Sequence, residues 1–143
     1  MATNITFSDI ITKLESIATD SGAASVKTGL FANDFDRYKS LATPTVFIEP
    51  QSSTVGNFGT ITRSFEICVF SLLDEEETNL VTITSSTEVV ALKIIGYLKN
   101  SFANRDYEFT VASLEWFTEH TANTYTGWVI AIQITTPYEY SIC

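Results

Sequence analysis

The phrase TGWVIAIQITTPY alternates with a period of two. Trp128, Ile130, Ile132 and Ile134 fall on one side, and Val129, Ala131, Gln133 and Thr135 on the other. A helix spreads every second residue around its circumference, so only an extended strand keeps four such large side chains on one face. One side is heavy and the other light, which predicts a sheet buried chiefly on one face. ITRSFEICVFSLL repeats the pattern, with Ile61, Phe65, Ile67 and Val69 on one face and Thr62, Ser64 and Glu66 opposite. Two such strands need a covering layer.

Two segments with helical spacing supply it. In the first, Phe7, Ile10, Ile11, Leu14, Ile17 and Ala18 line one face. Thr6 stands three residues before Asp9 in capping-box spacing, and Ser21-Gly22 marks the stop. In the second, TITSSTEVVALKIIGYLKN, the spacing of Ser85 and Glu88 predicts another capping box. Val89, Leu92 and Ile95 with Val90, Ile94 and Leu98 form an apolar face wide enough for a sheet and a neighbour.

The remaining segments complete the order. ASVKTGLF is a weak strand, PTVFIEP a strand bounded by prolines, and DYEFTVASLEWF a strand joined to the last one through TEHTANTY. ANDFDRYKSLAT and QSSTVGNFGT read as loops, the second polar and glycine-bearing. The expected order is helix, three strands, helix, two strands. That is one α+β domain over residues 1–143: a mixed, mostly antiparallel sheet of about five strands, with two helices packed on one face.

Charge and composition narrow the function. With 17 acids against 8 bases the chain carries a net charge of −9, which excludes broad electrostatic binding to nucleic acid or anionic membrane. No stretch reads as the roughly 20 apolar residues that cross a bilayer, and MATNITFSDI lacks the basic start and apolar core of a signal peptide. Cys68 lies in a strand pattern and Cys143 is the last residue; neither has metal-ligand spacing.

The residues that chemistry needs do not converge. His120 falls in a polar strand connection and reads as a turn histidine, with no G-x-S-x-G motif in the chain. VGNFGT has two glycines but no Lys-Ser/Thr and no helix behind it. Asp34 and Asp36 in NDFDR have the spacing of turn residues as much as of cation ligands. Asp74, Glu75, Glu76 and Glu77 lack the rhythm of a calcium loop, because consecutive carboxylates splay apart. No catalytic residue, metal or cofactor is expected.

The N-terminal helix, PTVFIEP, the long strand running into SLLDEEETN, the helix SSTEVVALKIIGYL and the closing TGWVIAIQITTPYEYSIC together span nearly the whole chain. In that layout the chain resembles the tail-completion and tail-terminator proteins of tailed bacteriophages, including neck proteins of crAss-like Bacteroides phages. The resemblance implies a sheet flanked by helices and a homo-oligomeric ring at the head-tail junction or on top of the tail tube. It implies a virion location, assembly in the bacterial host cytoplasm, and neighbours among connector and tail-tube proteins. DNA would pass through without tight binding, no membrane would be involved, and no active site is carried over. Under this resemblance Gln51, Ser52, Ser53, Thr54, Val55, Gly56, Asn57, Phe58 and Gly59 form an inter-subunit loop. The acidic run from Asp74 to Glu77 reads either as a solvated loop that keeps the subunit soluble or, if it faces the channel of such a ring, as a wall whose like charge keeps a polyanion from adhering. Two other readings stay open: another phage assembly component, such as a head-completion or baseplate protein, and a soluble binding module or small enzyme unrelated to phage.

Overall fold

The structure, a computed structural model, describes residues 5–29, 44–56, 59–73, 78–101, 108–120 and 124–137. It is an α+β fold in the expected order. Helix α1 (Phe7–Asp20) is followed by β1 (Ser25–Thr28), β2 (Thr45–Val55) and β3 (Thr60–Leu72), then α2 (Leu80–Ser101), β4 (Glu108–His120) and β5 (Thr124–Pro137). The sheet runs β1-β2-β3-β5-β4. Only the β1–β2 pairing is parallel; the other three are antiparallel.

Helix α1 starts where its cap chemistry dictates. The Asp9 backbone N–H donates to Thr6 Oγ1 at 3.2 Å, and the Thr6 N–H donates to Asp9 Oδ2 at 2.8 Å, a complete capping box. The chain leaves the helix at Ser21, whose hydroxyl donates to the Ile17 carbonyl at 2.8 Å, and turns through Gly22 at φ 108. That left-handed conformation favours glycine. Ile10, Leu14, Ile17 and Ala18 are buried. Arg63 of β3 ties the start of the helix to the sheet, donating from one guanidinium nitrogen to the Ile5 carbonyl at 3.2 Å and from another to Thr136 Oγ1 at 3.1 Å.

Helix α2 departs from expectation at its start. It begins at Leu80, with the Ile83 N–H already donating to the Asn79 carbonyl at 2.9 Å, so Ser85 lies inside the helix and caps nothing. The Ser/Thr run survives there because its hydroxyls bond back to the helix's own carbonyls. Ser86 and Thr87 both donate to the Ile83 carbonyl, at 3.1 and 2.8 Å. The wide apolar face is also split. Val90, Ala91, Ile94 and Leu98 are buried, whereas Val89 and Leu92 are about half exposed, at 50% and 51%.

Both helices share one face of the sheet. Ile10, Leu14, Val90 and Ile94 join Phe65, Ile67, Ile130 and Ile132 in one core cluster, as the alternating patterns predict. The other face is less bare than expected. Phe47, Cys68, Phe70 and Tyr125 are buried there as a second, aromatic cluster, with Phe117 and Val129 packed against it. Gly127 lies between Phe70 and Phe117 in the strand register, and these rings meet edge-on at 6.5 Å. A side chain at Gly127 would run into the Val69 carbonyl.

Two connections are shorter than the sequence suggests. Gln51–Val55 is strand, continuing β2 and pairing with β3, so most of QSSTVGNFGT is not loop. Beyond the paired Val55 and Ile61, the Gly56 N–H donates to the Thr60 carbonyl at 2.8 Å, and Gly59 takes φ 71. Pro50 does not end the strand. It sits beyond the reach of β1, which pairs only with Thr45–Ile48, and next to a register shift between Pro50 and Ser53. There a missing N–H costs no ladder bond on the outer side. TEHTANTY is likewise largely strand, since β4 runs to His120, which pairs with Thr124.

A third departure concerns length and hydropathy. Leu80–Asn100 is long and apolar enough to cross a bilayer by composition, contrary to the expectation that no such stretch exists. Its buried stripe is spent on the sheet core, and Lys93 and Lys99 lie on the remainder.

Candidate functional site

A groove opens where the first turns of α2 cross the β4–β5 hairpin. Trp116 and Trp128 are direct cross-strand partners, and both belong to the sheet face that carries the helices. The Trp128 indole N–H donates to the Thr84 carbonyl at 3.1 Å, which fixes the ring edge against the helix. Beside it lies an open, almost wholly apolar groove of about 400 Å³, lined by Leu80, Val81, Thr84, Ser85, Trp116 and Trp128. Val81 is 77% exposed and Trp116 is 49% exposed. Water-facing apolar surface of this kind, around a fixed indole, suits a side chain of another molecule.

The groove adjoins an edge of the sheet. β4 is the last strand of the sheet, and no described residue pairs with its outer side. A register shift between Val111 and Ser113 interrupts β4, leaving Ser113–His120 in regular pairing with β5. Along that stretch, Leu114 and Trp116 belong to the helix face, while Glu115 and Phe117 belong to the other. Glu115 is exposed, as is Glu108 on the far side of the shift. Two residues beyond Trp116, the Thr118 hydroxyl is buried without a hydrogen-bond partner.

Of the sequence-stated candidates, Asp74, Glu75, Glu76 and Glu77 lie outside the described residues, as do Asp34, Asp36, Asn57, Phe58 and Cys143. Gln51, Ser52, Ser53, Thr54 and Val55 are exposed strand at the far end of β2. His120 is the last residue of β4 and not part of a turn. Cys68 is buried in the aromatic cluster. Among the described residues, no three of His, Cys, Asp or Glu gather as a metal-binding group.

The groove itself was missed. Its signal was present, because the chain has only two tryptophans and both fall in the final hairpin. Bringing them side by side requires the hairpin register, and a turn placed as TEHTANTY does not define it. No protein-family model and no curated protein matches the chain.

Proposed function

We propose that this protein is a structural subunit of a tailed-phage virion. In this reading it forms a ring at the head-tail junction or on top of the tail, guides DNA passage and has no catalytic role. The carrying observation is the docking surface on one side of the fold. A fixed tryptophan, a second half-exposed tryptophan, a solvent-facing helix turn and the last of the described strands lie together. Exposed apolar surface of this kind suits contact with another molecule, as a subunit that works by assembly requires.

The charge of −9 supports the same reading. A ring multiplies each subunit's acidic segments, and a negative channel wall repels a passing polyanion where Lys or Arg would hold it. Asp74 to Glu77 are the residues proposed for that wall, and the far end of the β2–β3 hairpin, from Gln51 to Gly59, is proposed to meet the next subunit. Ring closure needs a head-to-tail contact between two different surfaces, and the hairpin end is proposed as one of them.

Light scattering of the purified chain tests the reading. Particles of several times 15.8 kDa, alone or with tail tubes, are expected. A species that stays at 15.8 kDa under both conditions removes the ring.

A further inference from the structure

We propose that the solvent-facing stripe of α2 pairs with the same stripe of a second copy of this chain, the two helices running parallel and in register about a two-fold axis. The inference goes beyond the ring reading, because a two-fold contact closes on two subunits and neither needs a ring nor builds one.

The stripe follows from residue spacing. Thr82, Ser85, Val89, Leu92, Gly96 and Lys99 recur at intervals of three and four, the spacing that keeps one seam of a helix toward another helix. All six are exposed. The sheet uses a different set, the buried Val90, Ala91, Ile94 and Leu98. With 3.6 residues per turn the two sets point nearly opposite ways, so the stripe can be covered without disturbing the core. Val89 and Leu92 are its large apolar residues, and the space over Gly96 is open, with nothing within 4 Å of where a side chain would start. A second helix can approach closely there.

Charge selects the occupant. Glu88 and Lys93 stand five residues apart on opposite borders of the stripe, and neither forms an ion pair with a described residue. A two-fold axis parallel to the helices brings opposite borders together, so Glu88 of each copy meets Lys93 of the other and the pair forms twice. An antiparallel arrangement brings like borders together and leaves Glu88 without that lysine. A foreign helix would have to carry the same two charges at the same spacing; this chain supplies them itself. Lys99, in the last turn, lies on the stripe, and its stem can follow the seam while the ammonium group turns to water. With two large apolar residues per helix the seam is short, so the border charges decide whether it forms.

Sedimentation equilibrium of the purified chain at low salt, over a range of concentrations, reads the pairing. The native chain should pass reversibly from 15.8 kDa to twice that mass, and added salt should weaken the association. Glu88→Lys and Lys93→Glu should each weaken it about tenfold or more. Mixing the two single variants, or joining both changes in one chain, should restore it, because opposite charges again face across the seam. Leu92→Cys in a Cys143→Ser chain should oxidise to a linked pair, since the two-fold sets position 92 against itself. A native chain that stays single throughout, single variants that pair as the native does, a mixture no better than its components, or no linked pair overturns the proposal. So does flotation of the native chain with phosphatidylcholine vesicles that Leu92→Glu abolishes, which would assign this apolar helix face to a bilayer. Pairs that never grow into larger particles remove the ring and leave this inference standing; rings untouched by Glu88→Lys and Lys93→Glu do the reverse.

Discussion

Asp9 shows how much one exposed carboxylate can be held by local geometry. The hydrogen bond from the Thr6 backbone N–H and then that with the Thr6 side chain keep its pKa below the ordinary 3.8 against an opposing desolvation, with a lesser contribution from the charge of Arg63. A depressed folded pKa means that the ionised form stabilises the fold above the unfolded value, and that this contribution is lost as pH falls through the folded one. Asp9→Asn should therefore be less stable than the native chain at neutral pH, with the gap closing only on the acid side of 3.8. Urea unfolding across that range measures it, and a gap that stays constant into strong acid would show that the carboxylate's charge is not what the cap uses. Gly127 is the second residue with a sharp consequence. Its missing side chain lets Phe70 and Phe117 meet over the strand, and a methyl there meets backbone on β3. Gly127→Ala should cost about 1–3 kcal/mol, as overpacking does, and a neutral result would mean that β3 and β5 separate more easily than their pairing implies.

At the scale of elements, the two helices were legible to different degrees. Helix α1 could be read almost to the residue, because its cap, apolar stripe and glycine stop all agree. Helix α2 misled at its start. The Ser85–Glu88 spacing looks like a cap, but serine and threonine hydroxyls are also satisfied by the preceding turn, as at Ser86 and Thr87. Its apolar residues outnumber the positions the sheet can bury, so the sequence could not say which half faces inward. Paired substitutions separate the halves. Leu14→Ala or Ile94→Ala should cost roughly 2–5 kcal/mol, while Leu92→Ala should cost under about 1 kcal/mol in the isolated subunit. A large loss at Leu92 would show that its half-exposed side chain carries more packing than its position indicates. Strand identity was legible from alternation, but strand ends were not. Polar residues in an exposed hairpin, such as Ser52 to Thr54, satisfy sheet and loop equally well until the partner strand is known. The groove was hidden for the same reason, since it exists only once Trp116 and Trp128 are placed across from each other.

Across its described residues the molecule is a five-stranded sheet with both helices on one face and an apolar groove between the second helix and the final hairpin. In the reading proposed above the subunit works by assembly, and its acidic segments and apolar groove have a place in that reading. If the Asp74–Glu77 run lines a channel in the ring, converting Glu75, Glu76 and Glu77 to Lys should leave the subunit folded and slow DNA release at low salt, with recovery as salt screens the attraction. Normal release at low salt from particles carrying the triple change would leave the run a solubility feature. The central claim is the ring itself, and one measurement addresses it most directly: negative-stain imaging of the purified protein mixed with tail tubes. The account predicts closed rings, free or seated at one end of the tube. Dispersed single subunits, with tube ends unchanged, would contradict it.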